Sequence, residues 1–410
     1  MGGNATKHLG TERIDKETYL QVLNILKHEL MENELYVEEE SFHFTKPFSE
    51  KTSFGDLDLL SYIPKEDFLK IIENNEKFKL IHDNDKKYHS SSNASSFAIS
   101  FLLDGEYTVP FQVDYILINK QSFNFACNYF DYNDLGNFIG KIVSSYGYKF
   151  GFDGLSKKVY FDKHTNVIDV KFLKSQTENG VNEASAGYEE FNVTCDFFET
   201  LKIFGFDVNV YKNGFDNLNQ IYDFVVNSKY FDKLFFDLDE RGNKDRVRDR
   251  KRPNYNLLLE YIEKNCNKNE NYPYNKFKTE IKNEVQSKFP DFVQKRTELI
   301  KERRRKYTFN KRFNYHFLLK TLNKKFNIDL YTPTIIQDEK SEFKFIDKKV
   351  FINLLNSLKS NDNIYKSTLS DNNEKLKDVV LKELNLLKDF QDILKDLNLL
   401  QTKQTKKPKI

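Results

Sequence analysis

Three aspartates stand where an unpaired aspartate is costly. In residues 52–60, TSFGDLDLL, Asp56 and Asp58 interrupt an apolar run of Phe54, Leu57, Leu59 and Leu60. In FQVDYIL, residues 111–117, Asp114 stands among Phe111, Val113, Ile116 and Leu117. A carboxylate beside a core must be paired, protonated or bound to a cation. Side chains two apart on a strand share a face, so Asp56 and Asp58 point together while Leu57 and Leu59 point into the core. Two such charges repel, which raises one pKa, and a hard divalent cation removes the conflict. Three acids on adjacent strands are the ligand set of two-metal phosphoryl transfer. Two ions clamp the attacking and leaving oxygens, and one carboxylate takes the proton of the attacking hydroxyl. The expected cofactor is a pair of Mg²⁺ ions, with Mn²⁺ as a substitute. Gly55 gives a ligand room to approach the backbone. A lone Asp-x-Asp reads more readily as a solvated strand edge; Asp114 weighs against that here.

The neighbouring segments must position these acids. Asp104-Gly105 predicts a hairpin joining SFAISFLL (residues 96–103) to TVPFQVDYILI (residues 108–118), which brings Asp114 into the sheet. Helices are predicted over 15–33, capped by Asp15, and over 65–76. Another is predicted over 133–146, capped by Asn133 and stopped by Gly147. Residues 1–14 read as a flexible or draped arm. Short strands are expected around 159–172, a polar loop over 175–190, and helices near 196–203 and 216–228. Beyond residue 253 the chain reads as helical. Its last helix, about 373–399, carries Leu387, Phe390, Leu394 and Leu397 at spacings that suit a bundle seam or a partner-protein helix.

The string TSFGDLDLL followed by FQVDYILI resembles the G-D-h-D-h…h-D-h signature of the DNA polymerase beta-like nucleotidyltransferases. The resemblance continues through NYFDYNDLGNFIGKIVSSYGYKFGFDGL, residues 128–155, where family X DNA polymerases carry a Tyr-Phe pair, a short turn and a helix. It covers about residues 36–155 well, 156–230 loosely, and nothing beyond 255. It implies an α+β fold: a palm with a small, mostly antiparallel mixed sheet, a helical thumb-like region and a helix-rich C-terminal region. The expected divisions are 1–35, 36–128, 129–252 and 253–410. By the same resemblance Asp56 and Asp58 hold both metals, and Asp114 holds the catalytic one and activates a primer 3′-hydroxyl. Tyr129 and Phe130 lie near the nucleotide sugar, and Asp134 and Asn137 face the incoming base. The family's phosphate-binding Gly-Ser falls on Thr45-Lys46, so Thr45, Lys46, Ser49, Lys51 and Ser53 are expected to replace it. Its Thr-Gly-Ser turn is Asp131-Tyr132-Asn133 here, which leaves sugar preference open.

Net charge is +2 and charged residues make up 31% of the chain, which excludes a uniformly basic nucleic-acid binder and points to local patches. Two exist. RGNKDRVRDRKR, residues 241–252, offers Arg246, Arg248, Arg250, Lys251 and Arg252. KRTELIKERRRKYTFNKR, residues 295–312, offers Arg303, Arg304, Arg305 and Lys306, with Tyr307 and Phe309 placed to stack on bases. Cys127, Cys195 and Cys266 are widely spaced and odd in number, against a disulfide framework or zinc site. With no apolar run near membrane-spanning length, an intracellular, cytoplasmic protein without a membrane partner is expected. No histidine pair has metal-binding spacing. The Asn-, Lys- and Phe-rich composition suits an AT-rich genome such as that of a virus or mobile element. These features predict an enzyme that adds nucleotides from an NTP or dNTP to a nucleic-acid 3′ end, most simply DNA polymerase beta-like. Template-independent terminal or tRNA-end transfer is the alternative, because no helix-hairpin-helix or lyase-like segment is evident upstream. A non-catalytic nucleic-acid-binding protein that keeps the core is the second alternative.

Overall fold

The computed structural model describes residues 4–33, 41–82, 89–90, 94–162, 186–237, 249–267, 271–326, 330–331, 344–345, 348–369 and 373–386. The chain is α+β and divides into two compact units. One comprises Met1–Lys158 and Glu190–Gln294, the other Val159–Glu189 and Lys295–Ile410.

The first unit is built on a mixed sheet. Its main strands are β2 (Phe42–Phe44), β4 (Asp56–Ser61), β5 (Phe78–Ile81), β7 (Ala94–Leu103) and β9 (Phe111–Leu117), in the order β2-β4-β9-β7-β5. Strands β1 (Ile14–Asp15) and β3 (Ser53–Phe54) form a small separate ladder, while β6 (His89–Ser90) and β8 (Glu106–Tyr107) extend β7. Only β4 and β9 pair in parallel along the main path; the other pairs are antiparallel. The hairpin between β7 and β8 turns at Asp104 and Gly105, with φ 50° and 89°. Two left-handed residues in succession make the turn whose twist matches its strands.

Alternation in β4 and β9 sorts their side chains by face. Leu57, Leu59, Val113 and Tyr115 are fully buried with α1 (Lys16–Met31) and α2 (Lys65–Glu73), through Val22, Leu26 and Phe68. Asp15 caps α1, its carboxylate accepting from the Thr18 amide at 2.8 Å. On the opposite face, Leu60 and Ile116 are covered by Phe123 and Ala126 of α3 (Phe123–Phe130), leaving the aspartate half uncovered by that helix.

Helix α4 (Leu135–Ser145) starts two residues later than its expected cap. Tyr132 and Asn133 both take left-handed φ, 61° and 62°, so Asn133 belongs to the turn and Asp134 occupies the N-cap position. Gly147 ends the segment at φ 80°, as its sequence position predicts. Gly136 lets α4 approach α3: a Cβ there would lie 2.3 Å from the Tyr129 carbonyl oxygen. Gly136→Ala is therefore expected to destabilise the unit by about 3 kcal/mol, the upper range for overpacking. Denaturant unfolding with an unchanged midpoint would contradict this.

Strands β10 (Lys149–Gly151), β11 (Gly154–Asp162) and β12 (Ala186–Thr194) form a second sheet; β12 begins inside the segment expected to be a loop. Helices α5 (Phe197–Ile203), α6 (Val208–Asn213), α7 (Leu218–Val226), α8 (Pro253–Asn265) and α9 (Tyr274–Lys288) follow. Tyr255 and Leu258 of α8 enter the same core as Phe138 and Ile142 of α4. The expected division at 252/253 therefore falls inside one compact unit.

In the second unit, Phe309 and Phe313 pack with Leu318, Leu322, Leu354, Leu358, Val380 and Leu384. These come from α10 (Pro290–Arg312) and the residue following it, α11 (Tyr315–Phe326), α12 (Lys348–Lys359) and α14 (Asn373–Leu386); α13 (Asp362–Leu369) adds Ile364. The described part of the last helix thus faces its own unit's core. Leu387, Phe390, Leu394 and Leu397 lie outside the described residues. No helix among the described residues is long and apolar enough to cross a membrane.

Candidate active site

Parallel pairing of β4 and β9 sets Asp58 directly beside Asp114, with Asp56 beside Gln112. Side chains at paired positions share a face, so the three carboxylates converge. One oxygen of each lies within 4.8 Å of the others, and these are the residues among those described that could hold a metal ion together. The donor set is all carboxylate oxygen, with no imidazole or thiol, which fits Mg²⁺ or Mn²⁺ rather than a softer metal. Crowding supports the same assignment. Burial, with Asp56 and Asp114 adding repulsion, drives the Asp58 carboxyl well above its ordinary range. Burial raises Asp114 to about 6, with Asp56 adding to it and hydrogen bonds from Ser96 and Gln112 opposing it. Such a cluster is strained as three anions and relieved by a dication.

Asp56 and Asp58 open onto a cavity of about 1180 Å³. Lys7, Arg13, Lys46, Lys51 and Arg252 bring positive charge to its walls. Lys51 lies 4.8 Å over the Phe54 ring and 3.4 Å from the Asn133 amide oxygen. Burial pulls its ammonium below its ordinary value, while Asp56 and Asp58 act in the other direction. Arg13 donates to the Ser53 hydroxyl at 2.9 Å and carbonyl at 2.8 Å, which presents the arm against β3. Tyr19 stacks on Phe54 at 3.8 Å and also lines the cavity.

The expected nucleotide-binding residues divide sharply. Thr45, Lys46, Gly55, Phe130 and Asp134 line the cavity. Ser49 does not: its hydroxyl donates to Asp216 at 2.6 Å and its amide to the Phe215 carbonyl, so it ties its loop to the start of α7. Tyr129 packs against Phe150 in the core, 5.4 Å between rings, whereas Phe130 stacks on Phe152. Asp134 accepts from Arg252 at 3.3 Å, Asn254 at 3.1 Å and the Asn137 amide at 3.3 Å. Its acceptor capacity is engaged within the chain, and Asn137 serves it from outside the cavity wall.

Asp131, in the turn after Tyr129-Phe130, had no role in the sequence. It is buried, accepts from the Lys46 amide at 2.8 Å and meets His43 Nε2 at 2.7 Å. Tyr132 donates its amide to the Lys46 carbonyl at 2.7 Å. These bonds fix Thr45-Lys46 against the turn. Cys127 is buried, which pushes its thiol up to about 12, so it is a packing residue and no nucleophile.

The basic segments also divide. Arg246 and Arg248 lie outside the described residues, Arg250 and Lys251 are exposed, and Arg252 reaches the cavity. In the second unit Arg304 and Arg305 are exposed. Arg303 lies 3.8 Å over the Phe161 ring and pairs with Glu189, and Lys306 pairs with Glu302. Phe309 is a core residue at 5% exposure and is closed to base stacking; Tyr307 is exposed.

No family model and no curated protein matches the chain. Among solved structures it is similar to a ternary P/T complex of Leishmania infantum polymerase beta, with a TM-score of 0.27 and 18% identity. That overlap covers 36% of this chain and 58% of the polymerase chain.

Proposed function

We propose that the protein is a divalent-metal-dependent nucleotidyltransferase that joins a nucleotide from an NTP or dNTP to a nucleic-acid 3′-hydroxyl and releases pyrophosphate. The observation that carries this reading is the convergence of Asp56, Asp58 and Asp114, with Asp56 and Asp58 opening onto a cation-lined cavity. Bound there, divalent ions would neutralise phosphate charge and lower the pKa of the attacking hydroxyl. The chain's own residues supply the rest. Asp56 and Asp58 would hold the ions at the cavity, and Asp114 would join them and take the proton of the 3′-hydroxyl onto a carboxylate oxygen. Lys51, Lys46 and Arg13 receive the triphosphate, and Phe130 sits where a sugar or base edge would pack. The exposed Arg250 and Lys251 on one unit, and Arg304 and Arg305 on the other, suit phosphate-backbone contacts.

Polymerase beta-like DNA synthesis is the leading form, in keeping with the G-D-h-D…D pattern. Template-independent end transfer is the second, favoured by Asp134, whose carboxylate is already engaged by Arg252 and Asn254 rather than free for an incoming base. A labelled primer incubated with Mg²⁺ and each nucleotide, with and without template, separates them. Template-directed extension supports the first and template-blind extension the second. No extension with any nucleotide, while the primer still binds, would overturn both.

Lys51→Ala is expected to weaken nucleoside triphosphate binding about 10- to 100-fold, the value of one charge-assisted contact. Titration with a fluorescent nucleotide checks this; unchanged affinity would remove Lys51 from the phosphate site.

A further inference from the structure

Gln112 has no part in the chemistry above, yet it is 2% exposed and sits on the aspartate face of β9. Its Nε2 donates to both carboxylate oxygens of Asp114, at 2.9 and 3.0 Å. Its Oε1 accepts from the backbone N–H of Thr6 at 3.1 Å and from the Thr6 hydroxyl at 3.0 Å. Thr6 is fully buried, 106 positions away in the chain, and its hydroxyl also lies 3.2 Å from that of Thr11. A backbone N–H can only donate, so Thr6 fixes which end of the amide faces it. The donor end is thereby turned to Asp114.

The arm that carries Thr6 is held at several points. A short 3₁₀ turn spans Lys7–Leu9, the Glu12 amide donates to the Pro110 carbonyl at 3.0 Å, and β1 pairs with β3. The same arm brings Lys7 and Arg13 to the cavity.

We infer that the N-terminal arm is a working part of the metal site. Thr6 orients the Gln112 amide, Gln112 holds Asp114 toward Asp56 and Asp58, and the triad's affinity for a divalent cation depends on this chain of bonds. The inference rests on the metal-site reading above and deepens it. An acid with free rotamers must be ordered before it ligates, and two bonds from a neutral donor remove that cost. A neutral amide also orients Asp114 without cancelling the negative charge that attracts the ion, as a lysine or arginine would. Partners of this kind, once removed, typically reduce metal affinity about 10- to 100-fold. Gln112 and Thr6 are positioning residues; neither is placed to meet substrate.

The test is Mn²⁺ binding by the full chain, followed by the electron paramagnetic resonance signal of free Mn²⁺, with Asp58→Asn as the reference for a lost site. Gln112→Met keeps length and volume but removes the donor, and is expected to weaken binding about 10- to 100-fold. Thr6→Val, which keeps the backbone contact, is expected to weaken it several-fold, and Thr6→Ser to restore it. Thr6→Val also decides the matter if Gln112→Met fails to fold. Wild-type affinity in both Gln112→Met and Thr6→Val would overturn the inference while leaving the metal site standing. A wild-type chain that binds Mn²⁺ no better than Asp58→Asn would overturn the metal-site reading and this inference with it.

Discussion

Asp58→Asn is expected to lower nucleotidyl transfer by about 10³-fold or more while raising the thermal stability of the metal-free chain. The loss follows from the position of Asp58, in register with Asp114 and two residues from Asp56, where all three face one point. A bound metal supplies several kcal/mol of transition-state stabilisation, and about 1.4 kcal/mol corresponds to a tenfold rate change. The gain in stability follows from the same crowding. Asparagine keeps the shape of aspartate and removes the charge that Asp56 and Asp114 repel. Function and stability are thus opposed at this residue, a common consequence of building a charged site on a buried strand. Steady-state rates and melting curves in EDTA measure the two effects. An active Asp58→Asn chain would remove the residue from catalysis. One less stable than wild type in EDTA at neutral pH would contradict the electrostatic account.

The second large effect is a pH dependence whose sign depends on metal. Asp114 has its folded pKa raised to about 6 from the ordinary 3.8, and burial with repulsion from Asp56 and Asp114 raises Asp58 in the same direction. A carboxyl whose folded pKa is raised contributes stability that is fully present below its unfolded value. That contribution is lost as pH rises through the folded value, so for Asp114 the window runs from about 4 to about 6. The difference corresponds to about 3 kcal/mol. In EDTA, the stability of wild type relative to Asp114→Asn is therefore expected to fall as pH rises through that window. Mg²⁺ binds the ionised form, so the melting shift it produces is expected to be larger at pH 8 than at pH 5. A Mg²⁺-induced shift of equal size at both values, or a wild-type advantage that grows with pH in EDTA, would contradict the assignment.

The parts of this site that could be read in the sequence are those set by local periodicity. Alternation in DLDLL and FQVDYIL placed acids and core residues on opposite faces, and Asp104-Gly105 announced the hairpin that delivers β9 to the sheet. The α+β class came with the family resemblance rather than from periodicity alone. What the sequence concealed depends on contacts between distant segments. Asp131 meets Lys46 across 85 positions and Ser49 meets Asp216 across 167, so no local pattern marks either. Gln112 did carry a signal, two residues before Asp114 and hence on its face, but its second partner lies in an arm whose polar composition reads as flexible. Phe309 shows the converse. A basic, aromatic-containing run reads as a binding surface, yet helical geometry turns Phe309 into the core while Arg304 and Arg305 face out. Tyr129 differs from Phe130 for the same reason, since neighbours on a helix face different ways.

The fate of the triphosphate distinguishes nucleotidyl transfer from hydrolysis. The protein is incubated with a nucleic-acid primer, Mg²⁺ and a nucleoside triphosphate labelled in its outer phosphates, and the released phosphorus is resolved into pyrophosphate and orthophosphate. Pyrophosphate is expected in step with primer extension, abolished by EDTA and reduced to background by Asp58→Asn. Release of orthophosphate alone, or pyrophosphate that persists in Asp58→Asn, would contradict it.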